Sequence, residues 1–136
     1  VSPAGALYVS DTGNHRVLRI VSDQSEVVIG DGSVSSAGEG APARRFPVAA
    51  PRQLALDAHG NLFVASSTTV RQIANVDGDD DADGDDAVFT IFGLERAAYP
   101  ESDAFCVSAL AASTDGGRVF VADGCQGFMV ELQATP

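Results

Sequence analysis

The chain has 136 residues, 45% of them hydrophobic, with nineteen acidic residues against eight basic ones and a formal net charge of -11. That is the length of one ordinary domain, with enough apolar content for a core. The shortage of Lys and Arg counts against nucleic acid, whose phosphates those residues neutralise, and against anionic lipid. No run approaches the roughly 18–20 apolar residues of a membrane span, and no basic region precedes an apolar run as in a signal peptide. The sequence starts at Val1 rather than Met and is at once inside a repeat. It is therefore expected to be a processed product or a piece of a longer chain.

In chain order, Leu7-Tyr8-Val9-Ser10-Asp11 reads as a strand, Thr12-Gly13-Asn14-His15 as a polar turn and Arg16-Val17-Leu18-Arg19-Ile20 as a second strand. Glu26-Val27-Val28-Ile29 predicts a further strand. A short helical turn is allowed near Pro42–Phe46, and no segment sustains a 3.6-residue apolar period, so almost no other helix is expected. Gln53-Leu54-Ala55-Leu56-Asp57 alternates, and the following Ala58-His59-Gly60-Asn61 is a tight turn in which Gly60 can take positive φ. Leu62-Phe63-Val64-Ala65, Val70-Arg71-Gln72-Ile73 and Val88-Phe89-Thr90-Ile91-Phe92 follow as strands, rich in β-branched and aromatic residues. The third group is Val107–Ala111, a turn at Thr114-Asp115-Gly116-Gly117, then Val119–Asp123 and Met129–Leu132.

The strand beginning at Leu7 recurs at Leu62 and at Val119, 55 and 57 residues apart. A repeat of strands at such a period means small β units that bury their faces only against one another. The count of three, four and three strands makes one complete four-stranded blade between two incomplete ones. The expected fold class is all-β: a β-propeller segment of ten strands, about two and a half blades. The expected boundaries are a partial blade over 1–32, a complete blade over 47–93 and a partial blade over 105–136. The loops 33–46 and 94–104 connect them.

These residues resemble the NHL-repeat family of β-propellers. Asp11-Thr12-Gly13-Asn14-His15-Arg16-Val17 carries the Asn-His turn of that family, and Pro51–Asp57 with His59–Ala65 is similar to its first strand, glycine turn and second strand. Gly30-Asp31-Gly32 through Ala41-Pro42-Ala43 to Phe46 and Pro51 resembles the linker between bacterial NHL blades. In the second unit Ser67-Thr68-Thr69 replaces the Asn-His turn, and in the third Gly124-Cys125-Gln126-Gly127 does. The resemblance implies a ring of about six blades. Ten strands fall short of the twenty-four of such a ring, and two copies also fall short. The remaining blades are therefore expected from the same polypeptide or a tightly associated one, covering strands that would otherwise be open edges.

The sharpest chemical candidate is the acidic run Asp77–Asp86, where Asp79, Asp81 and Asp83 before Gly84 match the opening of a calcium loop. Alternating carboxylates can converge on one hard cation, and Asp85 would add its backbone carbonyl. Thr90 stands where a bidentate Glu would complete that loop, and a solvated acidic turn is the plainer alternative. Cys106 opens the first strand of the third unit and Cys125 follows its second, so antiparallel neighbours put both at one end within disulfide reach. Such a cystine points to an extracytoplasmic or secreted setting; two free thiols would fit a reducing one. His15 and His59 sit in turns at opposite ends of the repeat and are expected to serve those turns rather than one catalytic site. Asp11 and Asp123 occupy equivalent places and are expected to accept backbone N–H bonds. Arg16, Arg19 and Arg71 are expected to face solvent or to pair between blades.

The leading functional expectation is a non-enzymatic binding or scaffold module. The resemblance implies a rigid loop face offered to a protein, a peptide or a glycan, and here that face comprises Asp11, Asn14, His15, Arg16, Ser67, Thr68, Asp123 and Gln126. One alternative is part of a propeller enzyme, lactonase-like or amidating-lyase-like, with its catalytic residues in further blades. Another is a structural spacer in a surface protein or larger assembly. No catalytic residue is assigned, and calcium is the only cofactor considered.

Overall fold

The fold is seen in a computed structural model that describes residues 1–2, 5–30, 32, 42–66, 69–75, 82–92, 107–115, 117–125 and 127–133. Those residues form ten strands: β1 (Leu7–Asp11), β2 (Arg16–Val21), β3 (Gln24–Ile29), β4 (Gln53–Leu56), β5 (Leu62–Ala65), β6 (Val70–Ala74), β7 (Ala87–Phe92), β8 (Val107–Ala112), β9 (Arg118–Asp123) and β10 (Phe128–Gln133). They pair antiparallel in three sheets ordered β1-β2-β3, β4-β5-β6-β7 and β10-β9-β8. The chain is thus nearly all β, and its sheets of three, four and three strands are a partial β-propeller. Two short 3-10 turns complete the described elements. Ala43–Arg45 falls where a helical turn was allowed, and Thr12–Asn14 lies within the polar turn expected after β1.

Local chemistry accounts for the connections. β2 and β3 are joined by the two residues Ser22 and Asp23, with φ of 48° and 65°. Two consecutive positive φ values give a hairpin turn whose twist matches the strands it joins. At the β4–β5 turn Gly60 takes φ 81°, the positive φ its sequence context allowed. Gly30, just after β3, has φ 105°, and a Cβ there would stand 2.3 Å from the His15 carbonyl oxygen. No larger residue fits against the β1–β2 turn at that point.

Side-chain alternation along β5 decides how the sheets stack. All four of its residues are buried, yet they point in two directions. Leu62 and Val64 join the core shared with the first sheet, alongside Tyr8, Val17, Val28 and Ile29. Phe63 and Ala65 join a second core with Val107, Val119 and Val121 of the third sheet. A strand covered on both faces reads as an unbroken apolar run rather than an alternating one. The middle sheet is therefore packed between two others. A register shift beside Val17 in the β2–β3 pair lets the consecutive residues Val28 and Ile29 both enter the first core. β4 lies against β8, so the first strands of the second and third sheets are neighbours.

Candidate functional site

The turn between β1 and β2 is built around Asp11. Its carboxylate accepts hydrogen bonds from Asn14 Nδ2 at 2.8 Å and Arg16 Nε at 2.7 Å. The Arg16 bond first, then that from Asn14, holds the carboxyl below its ordinary value. The partners are side chains, not the backbone N–H groups expected from sequence, because the intervening Thr12–Asn14 segment closes its own 3-10 bond, His15 N–H to Thr12 carbonyl at 3.2 Å. His15 ends that turn in the left-handed region, φ 54°.

Three bonds then fasten the turn to the chain entering β4. The Ala50 N–H donates to His15 Nδ1 at 3.0 Å, the Thr12 hydroxyl to the Pro51 carbonyl at 2.7 Å and the Ser10 hydroxyl to the Arg52 carbonyl at 3.2 Å. Arg52 N–H in turn donates to the Ala65 carbonyl at the end of β5. The turns after β1 and β5 therefore lie at one end of the fold, together with the segment that leads into the next sheet. In the second of these turns Ser66 N–H donates to the Thr69 carbonyl at 2.9 Å; Ser67 and Thr68 lie outside the described residues. After β9, Asp123 Oδ1 accepts the Cys125 N–H at 2.9 Å, the backbone role expected of it. Gln126 lies outside the described residues.

The other end is organised by Asp57, a buried carboxylate that the sequence placed where an alternating strand meets its turn. It accepts the N–H groups of His59 at 2.8 Å and Asn61 at 3.0 Å on one oxygen and Asn61 Nδ2 at 2.8 Å on the other. The spacing Asp-x-x-Gly-Asn was the available signal, since a short carboxylate can cap the N–H groups of its own turn. Asn61 Oδ1 accepts the Asn75 N–H, Asn75 Nδ2 donates to the His59 carbonyl, and Ala82 N–H donates to the Gly60 carbonyl. Asn75 precedes the acidic run and Ala82 lies within it, so the described residues on either side of 76–81 are both held at this turn. His15 and His59 accordingly stand at opposite ends and do not meet.

Of the expected calcium ligands, Asp79 and Asp81 lie outside the described residues. Asp83 and Asp85 share the turn before β7, where the Asp85 N–H donates to Asp83 Oδ1 at 2.7 Å and the Asp83 N–H to Asp86 Oδ2 at 2.8 Å. The Asp85 carboxylate forms an ion pair with Arg44, a partner the sequence did not suggest, because 41 positions separate the two in the numbering. Among the described residues no group of three or more His, Cys, Asp or Glu side chains is placed to hold a metal. Cys106 lies outside the described residues, so its relation to Cys125 rests on the sequence expectation.

The arginines are engaged more locally than expected. Arg16 pairs with Asp11, and Arg19 pairs with Glu26 at 2.7 Å within the same sheet. Arg71 stacks over the Phe46 ring at 5.2 Å, a cation–π contact. An open cleft of about 780 Å³ runs from the β1–β2 turn along β3 to the turn before β7. Its polar lining brings Asn14, His15 and Arg16 together with Glu26, Asp83 and Asp85, so charges of both signs line it.

No protein-family model matches the chain, and no curated protein matches it. Solved structures do. A structural-genomics protein of unknown function from Bacteroides thetaiotaomicron VPI-5482 superposes with a TM-score of 0.67 at 16% identity, over 96% of this chain and 32% of that one. Kuenenia stuttgartiensis hydrazine synthase superposes with a TM-score of 0.55 at 16% identity, over 99% of this chain and 34% of that one. The chain thus spans about a third of the length of these structures, and at such identity the likeness is one of fold alone.

Proposed function

We propose that this chain is a non-enzymatic binding module, an NHL-type propeller segment whose turn face engages a protein, peptide or glycan. The observation that carries the reading is the β1–β2 turn. Asp11 holds Asn14 and Arg16, and three bonds clasp the turn to Ala50, Pro51 and Arg52. Polar groups fixed in advance lose little conformational freedom on binding. The remaining blades would come from the same or an associated chain. The test is to probe glycan and peptide arrays with the purified chain and with the double variant Asn14→Ala, Arg16→Ala. Retention on a defined set of spots that falls at least tenfold in the variant supports the reading. Binding indifferent to the substitutions, or no binding, overturns it.

Two further sites belong to the same reading. The Cys106–Cys125 cystine, and with it an extracytoplasmic setting, is supported by the lack of any free cysteine among the described residues. Thiol alkylation before reduction leaves the mass unchanged if it is right and adds two labels if it is wrong. Calcium at Asp79, Asp81, Asp83 and the Asp85 carbonyl is supported by the bonds that hold Asn75, before the run, and Ala82, within it, to the turn after β4. A rise in melting temperature at millimolar calcium is the expected result, and an unchanged melt counts against the site.

A further inference from the structure

The open cleft beside the β1–β2 turn lies between two sheets that the chain itself supplies. Tyr8, Arg19 and Glu26 stand opposite one another across β1, β2 and β3. Tyr8 packs into the core shared with the second sheet, so Glu26 is on the side of the first sheet that faces the second. The far wall is Arg44 with Asp83, Gly84 and Asp85, the turn before the outer strand of the second sheet. Blades stacked on the free faces of the first and third sheets would not enter this space. Its volume of about 780 Å³ falls in the range of roughly 300–1,000 Å³ usual for small-ligand sites. Two glycines seat its arginines. A Cβ on Gly30 would stand 3.0 Å from Arg16 Cβ, and one on Gly84 3.1 Å from Arg44 Cβ and 2.9 Å from the Val27 carbonyl oxygen. Each arginine stem therefore packs against bare backbone. Arg16 donates to Asp11 through Nε alone, which leaves its two terminal nitrogens without a partner among the described residues. They form the fork that can grip a carboxylate by two parallel bonds. At the other end Arg44 neutralises Asp85. Asp83 accepts the Asp85 N–H and has no cationic partner among the described residues. Glu26 gives one oxygen to Arg19 and keeps the other.

From this arrangement we infer that the cleft takes the C-terminal end of a peptide whose last residue is basic, its carboxylate on the outer fork of Arg16 and its side-chain cation on Asp83 and Glu26. The inference rests on the binding-module reading and names the ligand of that face. Gly30 marks the Arg16 end and Val27 the Gly84 end; three residues of strand separate them, roughly 10 Å. One extended basic side chain, with a hydrogen bond at either end, reaches across that span. The charges select against other occupants. A polyanion would meet Asp83 and Glu26, and a neutral chain would desolvate both charged ends without compensating either. A ligand with one charge of each sign, in this order, satisfies both.

Fluorescence anisotropy with a labelled peptide tests this. The probe is four glycines ending in lysine, with the dye on its N-terminus and a free carboxylate. Two companions carry either a C-terminal amide or norleucine in place of lysine. The lysine acid should bind, and each companion should bind at least tenfold more weakly. Arg16→Gln should erase the preference for acid over amide while keeping that for lysine over norleucine. Asp83→Asn, which retains an acceptor for the Asp85 N–H, should do the reverse. If Arg16→Gln fails to fold, Arg16→Lys keeps the charge but not the fork and should reduce the acid preference. No binding of the lysine acid, equal binding of the three peptides, or preferences that both variants leave unchanged overturns the inference. If the lysine acid does not bind while array retention is still lost in Asn14→Ala, Arg16→Ala, this ligand is wrong and the binding-module reading stands. If array retention fails as well, both fall.

Discussion

Replacing Phe63 by Ala should separate the buried from the open copies of one repeated position. Phe63 is fully buried between the second and third sheets, among Val107, Val119 and Val121. Truncation to Ala there should cost about 3–5 kcal/mol, the range for aromatic deletions that leave a cavity. Phe120 stands at the same register but is only partly buried on the flank of the third sheet. Phe120→Ala should cost about 1 kcal/mol, since less apolar area returns to water and no enclosed cavity forms. Urea unfolding followed by far-UV circular dichroism reads the difference. At a slope of about 1.5 kcal/mol/M the midpoints of the two variants should lie about 2 M apart. If Phe63→Ala leaves too little folded protein to measure, Phe63→Leu supplies a smaller cavity at the same place. Equal costs at the two positions would refute a stack in which the middle sheet is covered on both faces.

Gly30→Ala should destabilise by more than 2 kcal/mol, because the new Cβ meets the His15 carbonyl at 2.3 Å in a positive-φ conformation; thermal melting indistinguishable from wild type would contradict the close approach. Asp57→Ala removes the acceptor of two backbone N–H groups in a part-buried turn. A loss of about 2 kcal/mol is expected, with amide exchange accelerating first at His59 and Asn61, and unchanged protection there would count against it. The depressed carboxyl of Asp11 favours the folded state at pH above its ordinary 3.8, and the contribution disappears as pH falls through the lower folded value. Carbon-detected NMR titration should show Asp11 titrating below 3.8 and moving upward in Arg16→Gln; an unmoved titration would assign the shift to another cause.

The strands and their grouping were legible because apolar alternation and Gly/Asp turn residues are local signals. All ten strands lie where the repeat put them, with ends shifted by a residue or two. β5 shows why stacking also could be read: Leu62-Phe63-Val64-Ala65 has no polar face, and only a strand covered on both sides tolerates that. Interactions between distant positions were not legible. Nothing local at Arg44 points to Asp85, and nothing in the Asn14-His15 pair says that the imidazole will accept from Ala50. The role of Asp11 was misread for a related reason. The backbone of its turn satisfied itself through a 3-10 bond, which left the carboxylate to the side chains of Asn14 and Arg16.

The clasp of Ser10, Thr12 and His15 on Arg52, Pro51 and Ala50 has a consequence for how such a chain tolerates change. It fixes the start of β4 against the end of β1 directly, by three bonds that do not involve the chain between Gly32 and Pro42. The spacing of the two sheets is thereby independent of how many residues join them, and each doubling of a connection adds only about 0.6 kcal/mol of closure entropy. Insertions, deletions or a cut placed there should leave both sheets in register, making that connection the natural point for grafting a foreign segment into the fold.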